Sequence, residues 1–441
     1  MVNRDSSIVL LFYKNSLIKA LSGYVDNIKE LLLKGEHNIM TLVNIISAIG
    51  NNSSIYPLLV RDCGIEIPAK AGMTYSQNLK DSKQMANNAL RECLIDEYGT
   101  SAIWLGGIPV MDKVCDWGIR KLGYDPSINA NLLNESSKQN LASNISKFKD
   151  KAPKEVAAME KVLKNKKTYE KLLAGKFILS TAIPIALMGF VLPKMNFALT
   201  DKLRKKQEEK KFVENKANKN VSFKGNFIST LANMSTVNKM AVTDGGLTVG
   251  RVYTGRNKYE RMEKAFRMTG MMFLNFVAPI WIAKGFDATS NKLFNTNVNL
   301  DPKILNDKTL LETIKNNTLE LPKVNEDILG YLDKNPKSKF SKLASEFCGV
   351  KYLENGVRDP RAYVDEKKIL NFRNEIEKFA QQATKSGDVD KFAKKALKVK
   401  SGNIIANVAL SSFLLAVALP KVTFMLRKLV TGSDAEPGLV K

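Results

Sequence analysis

FILSTAIPIALMGFVLP, residues 177–193, carries no charged side chain on any face until Lys194. A helix apolar all round has to be surrounded by protein or by lipid. Two further stretches share this property: MTGMMFLNFVAPIWIA at 268–283, bounded by Arg267 and Lys284, and SGNIIANVALSSFLLAVALP at 401–420, bounded by Lys400 and Lys421. A fourth, 99–111, contains Trp104, Gly106, Gly107 and Pro109 and runs into Asp112 and Lys113, so it spans or only dips into the interface. The 16 residues of 268–283 rise about 24 Å as a helix against a hydrocarbon layer of about 30 Å. Lysines snorkelling at the ends cover that shortfall. The same lengths also fit central helices of a large soluble bundle. The expected fold is all-α, a multi-helix membrane protein with three or four short hydrophobic helices and polar helical regions outside the bilayer. Trp281, with Trp104 and Trp117 near the first segment, fits an interfacial aromatic belt.

Between these runs the chain divides into a helical amino-terminal region (1–98), a first hydrophobic pair (99–200), a basic cytoplasmic loop (201–267) opening DKLRKKQEEKK, and a second hydrophobic pair (268–430). A polar helical domain, 285–400, is inserted in the second pair, and 431–441 forms a flexible tail. Asp301-Pro302, Asn335-Pro336 and Asp359-Pro360 read as helix starts in that domain. Residues 7–50 read as two amphipathic helices joined by a turn at His37, and 56–75, with Pro57, Gly64, Pro68 and Gly72, as a loop-rich connector.

Aligned without gaps, 192–194 and 419–421 both read Leu-Pro-Lys, and Gly175, Ile178, Ala182 and Leu187 meet Gly402, Ile405, Ala409 and Leu414. The first and third segments match more weakly after Pro109 and Pro279. This is the pattern of a two-fold internal repeat in which both halves point the same way. Prolines near the ends of the runs leave carbonyls free for a neighbouring Lys or for water. Lys113, Lys194, Lys284 and Lys421 then recur at one equivalent depth, as snorkelling anchors or as contacts for anionic headgroups or an anionic solute.

DGGLTVGRVYTGR, 244–256, has the spacing of a phosphate loop but lacks its Lys and hydroxyl residue. It reads as tight turns before a helix at 257–268, with Arg251 and Arg256 as anion contacts. Arg91, Glu92, Asp96 and Glu97 read as one solvated helix face. With a single histidine, His37, and four scattered cysteines, no catalytic constellation, metal site or cofactor is expected. The net charge of +24 is carried mainly by Lys, which suits anionic lipid better than base recognition, so nucleic acid is not the expected partner. The expected function is non-enzymatic: a structural or interaction protein, multi-pass in the bacterial plasma (inner) membrane with the lipid bilayer as partner. A small-solute or lipid transporter of two parallel repeats is the alternative. A soluble basic nucleic-acid-binding protein stands third.

Overall fold

The computed structural model describes residues 36–52, 54–79, 83–192, 195–196, 199, 234–253 and 257–432, and every regular element among them is helical. Helix α1 is Glu36–Gly50. The first of the two amphipathic helices expected at 7–50 lies outside the described residues, and His37 falls in the first turn of α1 rather than between helices. Helix α2 fills 56–78: Tyr56–Arg61, a π-helical turn Asp62–Glu66, then Ile67–Asn78. That corrects the loop-rich reading. Pro57 opens the helix, where a missing N–H has no partner to lose, and Pro68 follows directly on the π-turn.

Helix α3 runs 83–121 through a π-turn at Ile103–Gly107. Short helices α4 (Leu141–Phe148) and α5 (Pro153–Lys164) precede α6, Lys166–Val191. Helix α7, Thr236–Tyr253, takes in Gly245, Gly246 and Gly250, so the described part of the expected phosphate-loop-like turn is helical. Helix α8 runs 258–294 through a π-turn at Phe273–Val277. Then come α9 (Pro302–Leu305), α10 (Lys308–Lys315), α11 (Ile328–Lys334), α12 (Lys339–Cys348) and α13 (Glu366–Lys385). The last is α14, Val389–Thr431. Asp301 caps α9 as expected, its side chain accepting from Lys303 N. The other two Pro starts are displaced: α12 is capped by Ser338 and α13 by Asp365, while Asn335 ends α11 and Asp359 holds Arg361 in a turn.

α6, the Arg261–Phe294 part of α8, and α14 are each long and apolar enough to cross a membrane. All three outrun their apolar stretches. At 26 residues α6 rises about 39 Å, its added length being the lysine-bearing turns before Phe177.

Five π-turns each end two residues before a proline: Asp62–Glu66 before Pro68, Ile103–Gly107 before Pro109, Leu187–Val191 before Pro193, Phe273–Val277 before Pro279, Leu414–Ala418 before Pro420. A proline ring inside a helix collides with the carbonyl four residues back and cannot bond to it. The widened turn relieves the collision. The residue before the proline bonds five back instead, as in Ala278 N to Phe273 O and Leu419 N to Leu414 O.

The long helices pack in the closed order α2, α3, α6, α7, α8, α14 and back to α2, with α7 also reaching across to α3. Side-chain pairs fix their directions. Thr74 with Cys93 and Ser101 with Asp62 make α2 and α3 antiparallel, and Lys176 with Asp116 does the same for α3 and α6. α7 runs parallel to α6, since Gly246 meets Ile185 and Gly189 meets Leu247. α8 opposes α7, and α14 opposes α8 through Lys400 to Asp287 (2.5 Å) and Arg427 to Glu263. The triplet α7, α8, α14 thus runs in the same directions as α2, α3, α6.

Segments 122–165 and 296–388, which follow the second helix of each triplet, fold together at one end. Leu310, Phe340, Ile369, Ile376 and Phe379 centre one core, and Ile128, Leu132, Leu141 and Met159 the other. They are joined by Asn129 N donating to Arg361 O (2.9 Å), Gln139 Nε2 to Val364 O (2.8 Å) and Asn144 Nδ2 to Pro360 O (2.8 Å). α1 lies at this same end, where Ser47 Oγ donates to Asp301 (2.9 Å).

A candidate ionic site between the two helix triplets

Arg61 and Asp62 sit at the junction of α2 with its π-turn, Glu66 ends that turn, and Lys70 follows one turn on. All four point into the bundle. Arg61 is 2% exposed; its Nε donates to Pro57 O (3.1 Å) and one terminal nitrogen, at 3.5 Å, to the carbonyl of Asn275. That carbonyl lies four residues before Pro279, in the position a proline strips of its helical donor. A free carbonyl was expected there, but its donor is an arginine from another helix rather than the flanking lysine.

Asp62 accepts from Ser101 on α3, and Lys70 pairs with Glu97 of α3. Arg267 of α8 stands 3.9 Å from the same Glu97. Arg251 of α7 lies 3.6 Å from Asp96 and donates to Thr100 Oγ1 (3.3 Å). Asp244 completes the cluster from α7, close enough for its charge to act on Glu66. Five carboxylates (Asp62, Glu66, Asp96, Glu97, Asp244) therefore face four cations (Arg61, Lys70, Arg251, Arg267). A buried charge is tolerated only when paired or hydrogen-bonded. Glu66 departs from that rule: it is 5% exposed and its Oε2 accepts no hydrogen bond. It borders a cavity of about 10 Å³, room for roughly one water, with Lys70, Arg267, Met271, Leu415, Ala416, Leu419 and Pro420.

The residues singled out in the sequence do not assemble into one site. Lys113 and Lys284 are exposed near the polar-lobe ends of α3 and α8, whereas Lys421 is exposed toward the opposite end of α14. Antiparallel neighbours put successive helix ends on opposite faces, so no ring of four forms at one depth. Lys194 and Arg256 lie outside the described residues. Arg251 is engaged by Asp96. The supposed solvated face turns inward at Glu97, whose side chain is 14% exposed. Trp104 is buried and donates to Met240 O (3.2 Å), which removes it from any aromatic belt; Trp117 and Trp281 remain on the surface. The four cysteines are half-buried and free, and no metal-holding cluster occurs among the described residues.

Each triplet also holds its second and third helices together at matched positions. A β-carbon on Gly99 would fall 2.9 Å from Leu192 Cδ1, and one on Gly270 would fall 2.6 Å from Leu419 Cδ1. These are the leucines of the two Leu-Pro-Lys sequences. Likewise Asp116 takes Lys176, and Asp287 takes Asn403 (2.9 Å) as well as Lys400. No family model matches this chain, and no curated protein or solved structure matches it significantly.

Proposed function

We propose that the chain is a multi-pass protein of the bacterial plasma membrane and belongs to the transporter class, with two duplicated three-helix halves binding a small ion or solute between them. The carrying observation is the ionic cluster at the seam of the halves. Ionisable side chains enclosed among membrane helices are expensive and mark ion or solute pathways, and parallel-repeat transporters place their sites at the repeat interface. The equal helix directions and the matched Gly99/Leu192 and Gly270/Leu419 contacts support the duplication. The three uncharged runs hold no carboxylate; the carboxylates of the cluster come from α2, α3 and α7 instead.

A carrier has to open this site to water, whereas a static scaffold keeps it shut. With the four native cysteines changed to Ser, Met271→Cys beside the cavity is expected to react with a small water-soluble thiol reagent in reconstituted vesicles. Complete protection under all conditions, or release of the protein by a carbonate wash, sinks the proposal. The scaffold reading keeps one observation in its favour, the two-part polar lobe held together by Gln139, Asn144 and Arg361. That lobe is a surface suited to protein partners.

A further inference from the structure

Glu66 differs from every other member of the cluster. Lys70, Glu97, Asp62 and Arg251 each have a partner, but Oε2 of Glu66 is buried with none and borders a cavity large enough for one water. The groups that act on it are known from each side: Asp62 and Lys70 on its own helix, Asp244 from α7 and Arg267 from α8, while α14 presents only Leu415, Ala416, Leu419 and Pro420. Two of these charges are carboxylates, which oppose a further negative charge, and two are cations, which favour it, so the carboxyl stands at a balanced point of the cluster. The group sits at the end of the π-turn that accommodates Pro68. Ala416, four residues before Pro420, borders the same cavity and belongs to another π-turn.

We infer that Glu66 binds one exchangeable proton, and that the proton is the coupling ion of the cycle proposed above, on whose membrane reading this inference rests. An O–H bond forms at Oε2 with a proton taken from water on one side and breaks on release to the other; no electrons are transferred. A protonated carboxyl removes the fifth negative charge of the cluster. It also supplies a donor to the water or carbonyl in the cavity.

The test is infrared difference spectroscopy of the full-length protein in lipid, titrated from mildly acidic to alkaline buffer. The wild type should show the carbonyl stretch of a buried protonated acid, lost on raising pH. Glu66→Gln should remove a component of that band, Asp244→Asn should leave that same component in place, and Glu66→Asp, which keeps a carboxyl, should shift it if Glu66→Gln does not fold. Absence of the band in the wild type overturns the inference, and so does an unchanged band in Glu66→Gln or loss of the Glu66 component in Asp244→Asn. A Glu66-dependent band in a protein that a carbonate wash releases contradicts the membrane reading and leaves the proton site standing. The two failures are therefore distinguishable.

Discussion

Lys239 on α7 pairs with Asp112 on α3 at 2.6 Å, and its side chain is 7% exposed. Removing one member of such a pair strands the other, at a cost of about 3–5 kcal/mol, whereas replacing both by apolar side chains of similar size is close to neutral. Lys239→Met is therefore expected to lower the thermal midpoint of the purified protein sharply, and Lys239→Met with Asp112→Leu to recover most of the loss. Equal destabilisation by the single and double variants would show that the two do not act as a pair. The candidate site was illegible at this scale for a related reason. Arg61, Glu66 and Lys70 are ordinary polar residues in their local sequence, Glu97 read as solvated, and only the neighbouring helices bring them with Asp244 and the half-exposed Arg267 into one network. Arg251 was picked out by its glycines, and the structure keeps the residue while replacing the loop by a helix.

At the scale of the element, the seam between antiparallel neighbours depends on Gly99 and Gly270, where leucine side chains occupy the space of a β-carbon. Gly270→Val is expected to destabilise by about 1–3 kcal/mol through overpacking, and Leu419→Ala in the same chain to restore much of it. If Gly270→Val is neutral, α8 and α14 are not packed as described. The uncharged runs made α6, α8 and α14 legible, because uniform apolarity is a signal that needs no partner. α2 and α7 were not legible. Their Pro57, Pro68, Gly64, Gly245 and Gly246 are breakers in isolation, but Pro57 stands at a helix start, the π-turn accommodates Pro68, and side chains of α6 and α8 pack against Gly246 and Gly245. Leu192 and Leu419, which open the two Leu-Pro-Lys sequences, each lie against a glycine of the preceding long helix.

For the whole molecule, the polar lobe and the helical bundle should respond differently to acid. Burial alone would raise the Asp333 and Asp125 carboxyls. Hydrogen bonds and charge from Arg358 and Lys147 hold the first below the usual carboxylate range, and those from Ser127 and Arg361 hold the second there. A carboxyl lowered in the folded state contributes stability that is complete above its unfolded value, about 3.9, and is lost as pH falls through the folded value. Hydrogen exchange across 352–364 should therefore stay slow from neutrality down to about pH 4 and quicken only below it. Loss of protection on mild acidification would contradict the Arg358 and Arg361 network. Burial also pushes the Cys348 thiol up to about 11, which leaves little thiolate at neutral pH, so it should label slowly in the native lobe.

The most direct measurement of the central claim is two-sided labelling of single cysteines in sealed vesicles, with the native cysteines replaced. Val324 is exposed on the polar lobe, and Leu79 lies at the far end of α2. The account predicts that an impermeant thiol reagent labels Val324→Cys from one face of the membrane and Leu79→Cys only from the other. Labelling of both from the same face would contradict a bundle that crosses the bilayer around a buried ionic site.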